Sequence, residues 1–156
     1  MGSPFPAGTN TIQVAVDPLD RFVYATSNGS DTITSYAIDN STGSLVPTGS
    51  VATGTDPVGV VVDPLGKLAH VALTNVNEVA AYTIDASTGA LTLLATFPAG
   101  NGPSELAIDP TDSFLYVSEE GDNTVTAYGI AKTTGALTLI GAYPTGTGPI
   151  GVALGR

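Results

Sequence analysis

The sequence predicts an all-β protein built as β-propeller blades, and three observations carry that prediction. The dipeptide Asp-Pro recurs at Asp17, Asp63 and Asp109, 46 residues apart each time. Tyr36, Tyr82 and Tyr128 keep the same interval, as do Gly43, Gly89 and Gly135, so no insertion or deletion separates the units. Between these markers, short runs rich in Val, Ile, Thr, Leu and Tyr alternate with Gly, Pro, Asn and Asp, the pattern of strands joined by tight turns. A unit of this length holding four such runs is a four-stranded antiparallel blade; a sandwich has strands this short but no fixed repeat.

The units run 5–50 (blade 1), 51–96 (blade 2) and 97–142 (blade 3). In the third, "SELAID" reads as the inner strand and is closed by the turn at Asp109-Pro110. "SFLYVSE" is the second strand, "EGDN" the turn after it, "TVTAYGI" the third strand, and "KTTG" the turn into "ALTLIGA". None of these runs is long enough, or periodic at 3.6, to be a helix. Residues 143–156 begin a fourth repeat: "GPIGVAL" (148–154) aligns with "DPVGVVV" (56–62) and reads as one extra inner strand.

Composition narrows the chemistry. The chain has no cysteine, which removes disulfides, thiolate metal sites and Cys nucleophiles. Four Lys and Arg stand against 14 Asp and Glu, for a formal net charge of −10. Nucleic acid is therefore not an expected partner, because phosphate binding needs clustered bases, and anionic membranes are disfavoured for the same reason. No apolar run approaches the roughly 20 residues of a membrane-spanning helix, and "MGSPFPAG" lacks the features of a signal peptide. The acidic, Lys-poor balance is compatible with an extracellular or saline setting.

Inner-strand "DPVGVVVDP", second-strand "LYV", third-strand "NTVTAY" and the "STGALT" hairpin together resemble the lactonase-type propeller repeat found in 6-phosphogluconolactonase-like proteins. The resemblance covers almost the whole chain and implies a propeller, normally of seven blades. It implies activity only where functional residues match, since the shared residues are those that build blades. In the resembling lactonases the inner strand often carries a His or Arg facing the channel. Here the corresponding positions are Gln13, Gly59, Glu105 and Gly151, which counts against carrying over lactone chemistry.

Gln13 and Glu105 are the channel-lining candidates, Glu105 standing out as a carboxylate in an apolar strand. The only histidine, His70, occupies the slot of Tyr24 and Tyr116 and reads as a packing residue; a lone His makes neither a triad nor a metal site. Tyr36, Tyr82 and Tyr128 read as packing between blades. Glu119, Glu120 and Asp122 are a weak Ca²⁺ candidate, off the EF-hand spacing and equally explained as a turn. No G-x-S-x-G elbow or phosphate-cradling Gly-rich loop is present, and no cofactor is expected.

Three blades do not close a ring, and two bare blade faces are an aggregation hazard. The expectation is a non-catalytic propeller module that completes its ring by homo-oligomerisation, most simply as a dimer, and binds a small ligand or protein at the channel mouth. The alternative is a lactonase- or isomerase-like enzyme whose channel site, built around Glu105, is formed across subunits.

Overall fold

The computed structural model describes residues 5–154. Twelve strands form three four-stranded antiparallel sheets, each in chain order from inner to outer strand. Blade 1 comprises β1 (Thr11–Val16), β2 (Phe22–Ser27), β3 (Thr32–Asp39) and β4 (Ser44–Ala52). Blade 2 comprises β5 (Pro57–Val62), β6 (Leu68–Leu73), β7 (Glu78–Ile84) and β8 (Leu91–Pro98), with one 3₁₀ turn, Thr74–Val76, before β7. Blade 3 comprises β9 (Pro103–Ile108), β10 (Phe114–Glu119), β11 (Thr124–Ala131) and β12 (Ala136–Pro144). The inner strands β1, β5 and β9 lie side by side around the incipient channel. Among the described residues no helix is long and apolar enough to cross a membrane.

The Asp-Pro repeat makes the first hairpin of each blade. The Asp63 carboxylate accepts hydrogen bonds from the backbone N–H of Lys67 (2.6 Å) and Leu68 (2.8 Å), and Asp109 does the same for Ser113 (2.7 Å) and Phe114 (2.6 Å). Each Asp N–H in turn donates to the first carbonyl of the second strand, at Phe22, Leu68 and Phe114. One acidic side chain thus closes a turn whose own peptide groups would otherwise be unpaired.

Seams between blades reuse the same positions. One seam packs Phe22, Tyr24 and Ile33 of blade 1 against Val60, Val62, Val71, Tyr82 and Ile84 of blade 2. The next packs Ala72 and Val79 of blade 2 against Leu106, Leu115, Val117, Tyr128 and Ile130 of blade 3. Tyr128 Oη donates to the Pro98 carbonyl of the preceding blade (3.0 Å), and Tyr36 Oη finds the same partner in Pro6, within a segment "FPAG" that duplicates residues 97–100. The Tyr82 hydroxyl is buried without a partner.

The "TG" turn has a specific task in the seam. A Cβ at Gly89 would lie 2.5 Å from the ring of Phe22 on the preceding blade, and one at Gly135 would meet Leu68 at 3.3 Å. Both glycines have positive φ, +71° and +66°, where a side chain is strained in any case. The turn is therefore a seat for the second-strand apolar residue of the neighbour. At Gly43 no described residue lies within 4 Å, and the seat is empty.

The end faces show what those seams conceal. Val14 is 56% exposed, while its repeat equivalents Val60 and Leu106 are both 3% exposed. At the other end Phe114 is 42% exposed, against 4% for its equivalents Phe22 and Leu68. Burying such a side chain contributes about 1.5–3 kcal/mol, so each face is a seam lacking its other half. Residues 148–154, read from sequence as an extra inner strand, join no ladder; Ser104 Oγ donates to the Ile150 carbonyl at 3.4 Å, and nothing more regular forms. An inner strand takes its ladder from the second strand of its own blade, and the sequence contains none for a fourth.

Candidate functional site in the channel wall

The candidate site rests on three equivalent positions of the neighbouring inner strands, Gln13, Gly59 and Glu105. Each inner strand carries a register irregularity early in its course, between Thr11 and Gln13, between Pro57 and Val60, and opposite Val117 and Glu119. A bulge of this kind re-aims the side chain beside it. The displaced N–H of Gln13 donates to Thr26 Oγ1 (3.2 Å), and that of Glu105 donates to Ser118 Oγ (3.1 Å). Hydroxyls on the second strands thus hold both residues in place.

Between them stands Gly59, and its missing side chain matters. A Cβ there would lie 2.2 Å from the Ser104 carbonyl oxygen and 2.8 Å from Leu106 Cδ1, so only glycine lets β5 approach β9 this closely. The Gln13 side chain crosses this gap from blade 1. Its Oε1 accepts from Val60 N–H, and its Nε2 donates to Glu105 Oε1 on blade 3. A single amide therefore links all three blades and occupies one oxygen of the Glu105 carboxylate. Among the described residues Glu105 Oε2 has no hydrogen bond within the chain. Sequence reasoning named both residues; their contact depends on blade spacing, which no local pattern encodes.

Among the described residues no base or cation joins this pair. Arg21 is bound by Asp17 (2.6 Å) and by the Gly66 carbonyl (2.9 Å), and Lys132 Nζ donates to the Thr111 carbonyl (2.6 Å). His70 is fully buried in the seam between blades 2 and 3, its Nε2 3.3 Å from the Gly135 carbonyl and its Nδ1 unpartnered. Burial pushes its pKa down, against the opposing pull of the Gly135 carbonyl and the Asp63 charge.

The acidic loop does not gather into a metal centre. Glu119 is buried, its Oε1 accepting from Gly100 N–H (2.7 Å) and its Oε2 from the hydroxyls of Thr124 and Thr126 (2.6 Å each). Asp122 accepts from Asn101 N–H (2.7 Å), and Glu120 points to solvent. Among the described residues no three His, Cys, Asp or Glu side chains converge as metal ligands. The sequence reading had not anticipated an apolar hollow of about 490 Å³ lined by Pro18, Pro64 and Pro110 with Val62, Ile108 and Leu154. It lies where the three Asp-Pro turns meet, and the repeated proline was its only signal.

The family described as Lactonase, 7-bladed beta-propeller, matches residues 2–103 and 92–154. The chain belongs to this family. Among solved structures, this lactonase-family chain is similar to a candidate 6-phosphogluconolactonase from Bacteroides fragilis, at 21% identity and TM-score 0.85, over 92% of this chain and 41% of that one. It is similar also to a periplasmic gluconolactonase of Pseudomonas aeruginosa, at 17% identity and TM-score 0.82, over 94% and 43%. A protein from Lactobacillus plantarum gives 23% identity and TM-score 0.85, over 94% and 45%. At these identities the likeness is one of fold. The lactonase-family chain spans less than half of each of these proteins, the share expected of three blades in seven. No curated protein matches it.

Proposed function

We propose that this lactonase-family chain is a propeller arc whose ring is completed by a second copy docking end face to end face, and that the completed channel binds a small polar ligand or a protein loop without turning it over. The observation that carries the reading is the empty seat at Gly43, matched at the other end by the bare Phe114. Phe22 fills the equivalent seat at Gly89, so a second copy offers the chemistry the chain already uses. Two copies supply six blades, within the range in which propellers close. The absence of a catalytic role is supported by Gln13, Gly59 and Glu105 standing where the resembling enzymes often carry His or Arg, and by the amide on Glu105.

Light scattering tests the ring. The expected mass is twice the 15.6 kDa of one chain, falling to the single-chain value in Phe114→Arg. A single-chain mass for the wild type at micromolar concentration overturns the proposal.

A second reading is a lactone hydrolase or isomerase with its site shared between copies. It is favoured by membership of the lactonase family and by the unbonded Glu105 Oε2. A panel of sugar lactones assayed with the wild type and Glu105→Gln decides between them. Turnover abolished by the substitution establishes the enzyme; no turnover supports the binding module.

A further inference from the structure

We propose that the seam between blades 2 and 3 binds a hard divalent cation of the Ca²⁺ class, held between the carboxylates of Asp63 and Asp112. The neighbouring seam shows what this position normally holds. Between blades 1 and 2, the Arg21 guanidinium bridges the Asp17 carboxylate (Nε to Oδ2, 2.6 Å) and the Gly66 carbonyl (2.9 Å). One repeat later, Asp63 stands for Asp17, Lys67 for Arg21 and Asp112 for Gly66.

The exchange at the third position removes the cation. A Cβ at Gly66 would lie 2.3 Å from Asp17 Oδ1 and 2.5 Å from Arg21 Nη2, so a side chain at this point of the turn enters the space of the guanidinium. At the next seam that side chain is a carboxylate. Asp112 is 3% exposed, and neither of its oxygens has a hydrogen-bond partner. Its neighbour Asp63 is equally buried, with Oδ1 engaged by two backbone N–H groups. The Lys67 ammonium does not replace Arg21: among the described residues the ion pair that forms is Arg21–Asp17. Lys132, the other cation nearby, is bonded to the Thr111 carbonyl, and Asp109 turns its carboxylate to Thr111, Ser113 and Phe114.

Two carboxylates buried together are strongly unfavourable when the one ammonium in range, Lys132, is committed to the Thr111 carbonyl, and the sister seam meets the same geometry with a positive group bound directly between its partners. The free donors of this pair are oxygens, and among the described residues the unpartnered Nδ1 of His70 in the same seam does not converge on them as a third ligand. That suits a cation accepting roughly six to eight oxygens in a flexible shell, and not zinc, which favours nitrogen and sulfur. Among the described residues no third acidic or imidazole group converges, so the remaining positions of the shell would fall to backbone carbonyls and water. Sequence inspection passes over the site because Asp112 looks like an ordinary turn residue, as its exposed equivalent Asp20 is.

The test is calorimetric titration of CaCl₂, with MgCl₂ as a second arm, into the chelator-treated 156-residue chain, together with thermal melts. One saturable Ca²⁺ site and a rise in Tm on loading are expected. Asp112→Gly, which copies Gly66 and keeps the positive-φ turn, should weaken Ca²⁺ at least tenfold, as should Asp112→Asn, while Lys67→Met leaves it unchanged. No saturable uptake by the wild type, or uptake unaltered in both Asp112 variants, overturns the proposal. So does Mg²⁺ binding as tightly as Ca²⁺, which contradicts the flexible shell, or loss of the site in Lys67→Met, which assigns the counter-charge to that ammonium.

Discussion

Phe22 of blade 1 rests on the bare α-carbon of Gly89 in blade 2, close enough that a single added methyl would fall within 2.5 Å of its ring. Leu68 and Gly135 repeat the relationship one blade later at a looser 3.3 Å. The seam is thereby fixed at the "STGAL" turn, far from the channel.

Gly89→Ala is expected to lose about 2–4 kcal/mol, combining backbone strain at positive φ with overpacking against Phe22. Gly43→Ala has the same strain but an empty seat, and should lose only about 1 kcal/mol as an isolated chain. Urea denaturation of the two variants in the single-chain Phe114→Arg background, where the seat at Gly43 stays empty, compares them directly. Equal losses would mean that the seat contributes nothing.

Gly59→Ala places its methyl against the Ser104 carbonyl and Leu106. It should destabilise the chain by about 1–3 kcal/mol and part β5 from β9, breaking the Gln13–Glu105 bond. Side-chain amide NMR of Gln13 reads that break. An unchanged Gln13 signal would show that the close approach is not needed for the contact.

Acid should weaken the first hairpin of blade 3. Burial tends to raise the Asp109 pKa, but bonds from Thr111, Phe114 and Ser113 outweigh it and bring the group to about 2, below the ordinary 3.8. A depressed folded value means stability present above the ordinary pKa and lost as pH falls through about 2. Asp109→Asn should flatten that arm of a Tm-versus-pH curve, and an unaltered arm counts against the assignment.

Asp112 has the opposite sign. Burial first, then the charge of Asp63, raises its pKa, with Lys132 opposing. In chelator-treated protein its contribution is fully present below the ordinary value of 3.8 and is lost as pH rises through the raised one. Asp112→Asn should therefore be more stable than the cation-free wild type at neutral pH, by about 1–3 kcal/mol. Chemical denaturation at pH 4 and pH 7 measures both, and an Asn variant weaker than the cation-free wild type at pH 7 contradicts this.

His70→Tyr restores the residue of blades 1 and 3. Because burial lowers the folded pKa of His70, its stability contribution is present above 6.5 and lost as pH falls through the lowered value. The Tyr variant should resist that loss, which melts at pH 5 and pH 7 record.

The blades were legible because the repeat is undisturbed. "TVTAYGI" and "ALTLIGA" locate β11 and β12 to within two residues, and the Asp-Pro turns mark each first hairpin. The equivalence of Gln13 and Glu105 on their inner strands follows from alignment of the repeats. Their contact did not, because it spans 92 residues and depends on Gly59 admitting β5 against β9. Asp112 was hidden for a different reason. Asp20 and Asp112 are the same residue type in the same turn, and only the neighbouring blade makes one exposed and the other buried. Residues 148–154 pair with no strand within the single chain, because apolar alternation supplies a face to pack but not the ladder partner.

The repeated seam also bears on how such a chain can be cut and rejoined. Every junction uses positions set by one 46-residue period, so a sequence opened at any phase of that period and ligated to another copy resumes in step, provided the phase is kept. Circular permutants starting in successive turns should share one architecture. Tandem fusions of this arc can likewise vary blade number through the length of the gene alone.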